Sequence, residues 1–133
     1  MTERRDLPVG AALVVLGPGG LAVARRLKPV LPRARIHGLA SRVANADEAV
    51  EDVGEHLRRL FEDGVPIIGL CAVGILVRAL APLLTDKRTE PPVVAVAEDG
   101  GVAVPILGGH HGANALARTI ATTLGGTAAI TTA

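Results

Sequence analysis

The chain has 133 residues, 49% hydrophobic and 20% charged, with 14 Lys or Arg against 13 Asp or Glu and a formal net charge of +1. That length supports one domain with a real core; Phe61 is the single aromatic residue, so the core must be built from Ala, Val, Leu and Ile. No Trp or Tyr is present to stack on bases, which with the absence of a nucleic-acid motif argues against a nucleic-acid partner, and no apolar run reaches the ~18 residues of a membrane span.

Charge is unevenly laid out. Residues 1–43 hold eight Lys or Arg against two acids, residues 44–64 two against seven, and the rest four against four. We read these runs as solvated faces. The lone Cys71 has no intramolecular disulfide partner, which points to a reducing, cytoplasmic location.

In chain order, Ala11 to Leu16 is a continuous apolar run, the pattern of a strand buried on both faces. It ends in GPGG (residues 17–20), and LAVARRLKPVL then begins a helix that Pro29 stops or kinks. Arg35 to Leu39 is a second strand, and Ser41 to Asn45 a polar connection. From Asp47 the pattern turns helical. Val50, Val53, Leu57, Leu60 and Phe61 recur three and four apart, with Asp47 and Glu48 at the positive end of the dipole and Gly64 past the end.

Pro66 to Leu70 is a third buried strand, followed by a helix through about Leu84 and the polar loop Thr85 to Pro92. Val93 to Ala97 and Val102 to Leu107 flank EDGG, a hairpin signal because Asp-Gly and Gly-Gly favour positive φ. After ILGGHHGAN (residues 106–114) an amphipathic helix carries Leu116, Ile120 and Leu124, ends at Gly125 and Gly126, and gives way to TAAITTA as a last strand. This alternation predicts a three-layer α/β/α sandwich, mostly parallel, with one antiparallel hairpin.

The stretch richest in chemistry is ILGGHHGAN. A glycine turn opening a helix leaves backbone N–H groups bare at the positive end of the macrodipole, a place for an anion. If the helix includes His110, then His110, Asn114 and Arg118 share one edge. Neighbouring His110 and His111 point about 100° apart, and no Cys or other His stands at ligand spacing, so no protein-held metal is expected. GPGG is half of a dinucleotide fingerprint, but the acid expected about 20 residues on is missing; those glycines serve strand–helix packing equally well. Cys71 follows a buried strand and reads as a small apolar residue or, alternatively, a nucleophile. His37 and His56 read as structural. Arg78, Asp86, Lys87, Arg88 and Glu90 gather at a helix end, either compensating its dipole or forming a cationic clamp for carboxylates.

VGILVRALAPLLTDKRTEPPVV followed by PILGGHHGANALARTIATTLGGTAAITTA resembles the cobalamin biosynthesis protein G family, the cobalt-precorrin-5A hydrolases. G-x-x-V-R-A-x-A-P-L-L, D-K-x-x-x-P, the G-H-x-G-A-N-like histidine turn and I-T-T-A occur in that order, and LGPGGLAVARRLKPVLPRARIHGL resembles the family's N-terminal segment. The resemblance implies a hydrolase of corrin-ring biosynthesis that opens a δ-lactone on a cobalt-precorrin and releases acetaldehyde. It implies an anionic tetrapyrrole substrate, no cofactor beyond the cobalt within that substrate, and a single domain that is the N-terminal part of a longer or fused protein. A precorrin methyltransferase is one such fused enzyme. The candidate residues are His110 and Lys87 as catalytic, and Arg78, Arg88, Gly108, Gly109, His111, Gly112 and Asn114 as substrate-binding. The alternative from a different class is a noncatalytic precorrin-binding or assembly module. Both cationic loop and histidine turn are expected at the carboxyl ends of the strands, where open α/β sheets place ligands.

Overall fold

The computed structural model describes residues 7–132. Along the chain run β1 (Ala12–Val15), α1 (Pro18–Leu27), β2 (Arg35–Leu39), β3 (Glu48–Val50), α2 (Val53–Glu62) and β4 (Ile67–Leu70). They are followed by α3 (Val73–Leu80), β5 (Val93–Val96), β6 (Val102–Leu107), α4 (Ala113–Leu124) and β7 (Thr127–Ala128). The strands form one sheet in the order β3-β2-β1-β4-β5-β6-β7. Every neighbouring pair is parallel except β5 and β6, which close the predicted hairpin.

Strands β1, β4 and β5 are buried along their whole length, as their unbroken apolar runs require. Their side chains alternate between two cores. Leu13, Val15, Ile68, Leu70, Val94 and Val96 face one core, completed by Leu27, Leu116 and Ile120 of α1 and α4. Ala12, Val14, Ile67, Val93 and Ala95 face the other, under Leu57, Phe61, Leu76 and Leu80 of α2 and α3. Helix pairs α1/α4 and α2/α3 thus sandwich the sheet, each fully enclosed Leu or Ile contributing about 1.5–3 kcal/mol. None of the described helices is long and apolar enough to cross a membrane.

The expected helix from Asp47 is corrected. Glu48–Val50 is instead strand β3 on the edge of β2, and α2 starts at Val53. Asp52 caps it by accepting the Glu55 N–H at 3.0 Å. Asp47 has another use: its carboxylate accepts the Ile36 N–H at 2.7 Å and the Lys28 ammonium at 2.7 and 2.9 Å, contacts that hold its pKa below the ordinary value. The last strand is also shorter than expected, reduced to Thr127–Ala128.

His37 and His56 clasp β2 to α2. His37 Nε2 lies 3.3 Å from Glu48 Oε2, so that nitrogen carries the proton in the neutral ring. Its Nδ1 then accepts from His56 Nε2–H at 2.8 Å. Burial lowers both pKa values; Glu48 opposes this at both, while His56 and Arg35 assist it at His37 and Arg59 at His56. The unfolded chain therefore binds protons at higher pH than the fold does. We expect the urea midpoint to be full above the ordinary histidine value of 6.5 and to fall as pH drops from there through the lower folded values. His37→Gln should flatten that part of the profile; an unchanged profile would remove the clasp from the pH dependence.

Because β6 runs against β1, β2, β4 and β5, its end at Leu107 lies beside Val93, where β5 begins. The histidine turn therefore sits at the amino ends of the parallel strands. The loop before β5 opens on the same rim, so the two predicted features do share an end of the sheet, though the opposite one from that expected.

Candidate functional site

Gly109–His111 forms one 3-10 turn, and α4 begins only at Ala113. His110 is therefore outside the helix. Two left-handed glycines make the turn: Gly108 at φ +66° and Gly112 at φ +117°. Both are also close to other backbone or ring atoms, since a Cβ on Gly108 would stand 3.0 Å from the Pro91 carbonyl and one on Gly112 would stand 2.5 Å from Pro8 Cγ. Gly108 O accepts from His111 N at 2.9 Å and Ala113 N at 3.1 Å, while Leu116 N donates to Gly112 O at 2.9 Å. The N–H groups of Asn114 and Ala115 lie in the first turn of α4, where helix geometry supplies no intrahelical acceptor.

These groups line a cleft of about 660 Å³ with Gly109, His110, His111, Gly112, Arg118 and Thr132. Asn114 is only 9% exposed. Its Nδ2 donates to Thr132 Oγ1 at 2.8 Å, but Oδ1 is buried without a partner, a cost of about 1–3 kcal/mol. A helix start with its first-turn amides and an orphaned polar atom is thus set between two exposed imidazoles and an arginine.

The cationic loop is tied to this turn at one point. His111 Nδ1–H donates to Glu90 O at 3.4 Å. Asp86 organises the loop: it accepts Arg88 N at 2.9 Å and both Arg88 Nε and Nη2 at 3.1 Å. The Arg88 fork is therefore turned on Asp86, and Lys87 is the exposed cation between them. Arg78 is not brought into the group. A Cβ on Gly74 would stand 2.8 Å from Arg78 Nη1, so the guanidinium lies back along α3 toward its start, at the carboxyl rim.

The carboxyl rim speaks against the other two readings. At GPGG a Cβ on Gly20 would meet Val15 at 3.3 Å and Leu70 at 3.4 Å, which makes Gly20 a packing glycine. A Cβ on Gly19 would stand 3.1 Å from Glu98 Oε2, so a carboxylate already faces the helix start where a pyrophosphate would bind. Burial, with Glu98 assisting, pushes the Cys71 thiol up to about 11, far from a thiolate at neutral pH.

Thr132, which orients Asn114, was not singled out from the sequence, and Glu90, whose carbonyl receives His111, was named there only as one charge of the polar loop. Thr132 lies within the I-T-T-A motif, but only the fold places it against Asn114.

A model of the cobalamin synthesis G N-terminal family matches residues 55–133, more than half of the chain. The chain belongs to that family. It is 39% identical over 127 residues to a cobalt-precorrin-5A hydrolase of Salmonella typhimurium, covering 95% of this chain and 36% of the relative. A cobalt-precorrin-5A hydrolase of Priestia megaterium is 31% identical over 141 residues, covering 100% and 36%. Among solved structures, a cobalamin biosynthesis protein G homologue from Sulfolobus solfataricus aligns with TM-score 0.67 at 20% identity, over 98% of this chain and 39% of that one, a likeness of fold. This member of the G family thus spans little more than a third of the length of the relatives it matches.

Proposed function

We propose that this chain takes part in cobalamin biosynthesis as the substrate-holding N-terminal part of a cobalt-precorrin-5A hydrolase, opening a δ-lactone of the precorrin with loss of acetaldehyde. The observation that carries the reading is the cleft at the start of α4. The first-turn amides of Asn114 and Ala115 line that cleft together with His110, as a helix N-terminus suited to an anion. A water oxygen adds to the lactone carbonyl carbon, and the carbonyl oxygen becomes an oxyanion that those two amides stabilise. His110 takes the water proton and returns it to the ring oxygen as the acyl C–O bond breaks. Release of the two-carbon fragment follows the opening. Lys87 holds a peripheral carboxylate, and the cobalt arrives within the substrate.

A second reading rests on His110 itself. Among the described residues no group orients its ring, as a catalytic imidazole is usually oriented, which favours a binding module that presents the tetrapyrrole to a fused or associated enzyme. Absorbance titration of the chain with cobalt-precorrin-5A, followed by an acetaldehyde assay on the same mixture, separates the two. Binding with release supports the hydrolase, binding without release the module, and no binding up to roughly millimolar, an affinity of only about 4 kcal/mol, overturns both.

A further inference from the structure

A second cleft, of about 640 Å³, opens at the same rim beyond β1 and β2. The end of α1, the turn that follows it and the Asn45–Asp47 loop enclose it. Its floor is apolar, made by Leu31, Ala34 and Ile36, and its rim carries Arg25, Lys28 and Arg33. The one acid there, Asp47, is already bound by Lys28 and the Ile36 N–H. Arg25 and Arg33 are in no ion pair among the described residues, and they leave the cleft cationic.

The backbone around it is held in an unfavourable form. Arg33 at φ +57° and Asn45 at φ +63° are the only non-glycine residues with a left-handed backbone among those described, and both line this cleft. Asparagine tolerates that region, but an arginine is disfavoured there by the clash of its Cβ with the backbone. A turn suited to glycine thus carries a long cation.

The two clefts belong to one surface. Gly10 N donates to Pro32 O at 2.9 Å, Pro8 packs against Gly112, and Val9 between them is 58% exposed. From β2 to β6 there are four inter-strand steps, about 19 Å at the usual spacing. The rim therefore runs from the cations of this cleft past Pro32, Val9 and Pro8 to the α4 start. An apolar disc with carboxylates around its edge matches that pattern. Resting on the function proposed above, we infer that the Arg25–Arg33 cleft is a second carboxylate subsite, gripping the acetate and propionate groups on the far side of the tetrapyrrole held at His110.

The test is absorbance titration of the chain with uroporphyrin, an octacarboxylate tetrapyrrole. Arg33→Gly removes the cation while relieving the backbone, so it should fold at least as stably as wild type. Arg25→Ala alters an exposed helix position, and Arg42→Ala removes a charge elsewhere as a control. We expect Arg33→Gly and Arg25→Ala each to weaken binding about 10-fold or more, as loss of a charge-assisted bond does, with Arg42→Ala near wild type. Equal weakening by all three would reduce the effect to net charge and overturn the subsite. Weakening by Lys87→Ala alone would overturn the subsite and keep the site at His110. Weakening by Arg25→Ala and Arg33→Gly with no effect of Lys87→Ala supports an anion cleft here while sinking the His110 reading. No binding by wild type would overturn both.

Discussion

A Gly112→Ala chain is expected to lose on the order of 3 kcal/mol of stability, read as a lower urea midpoint with unchanged slope. Two costs combine. The backbone at φ +117° lies where an L side chain rarely goes, and the new methyl would enter the ring of Pro8 at 2.5 Å from Cγ. Gly125 provides the comparison. It also has positive φ, at +71°, but nothing within 4 Å of the added carbon, so Gly125→Ala should cost only about 1 kcal/mol. The difference reports the Pro8 contact, which joins the segment before β1 to the start of α4, together with the less favourable backbone angle of Gly112. Equal losses in the two variants would show that the contact yields without cost.

The second large effect is on turnover. His110→Ala should reduce acetaldehyde release by roughly 10²–10⁴-fold, the range of a lost general acid–base group, with affinity for the precorrin within about threefold of wild type. His110 is exposed and outside α4, so its removal leaves the core intact. Affinity falling in step with turnover would instead assign His110 to binding, and undiminished turnover would move the proton shuttle to another group.

Much of the fold is legible because the buried strands are unbroken Val, Ile, Leu and Ala runs and the hairpin has its Asp-Gly signal. Strand β3 is not. Glu48, Ala49 and Val50 make too short a run to show alternation, and Val50 falls in phase with the true helix at Val53, Leu57, Leu60 and Phe61. The discriminating signal was Asp52 followed three residues later by Glu55, a capping pattern that fixes the start of α2. The end of the sheet that bears the histidine turn was legible in principle. A hairpin reverses the chain, so whatever follows its second strand emerges at the opposite rim. What no local pattern contains is the approach of Thr132 to Asn114 across 18 positions, or the turning of Arg78 back onto Gly74; these depend on long-range packing and on the absence of a side chain.

The reversed direction of β6 also sets the polarity of the helices. Helices α1, α2 and α3 each follow a strand of the majority direction, so their negative poles point to the rim that holds both clefts. Arg25 and Arg26 in the last turn of α1, and Arg59 in that of α2, offset those poles. Helix α4 alone among the described helices presents its positive pole there. An approaching polyanion therefore meets a field with one built-in attractor of fixed backbone dipoles, which salt screens but pH does not titrate, and this orients the molecule before any side chain touches it.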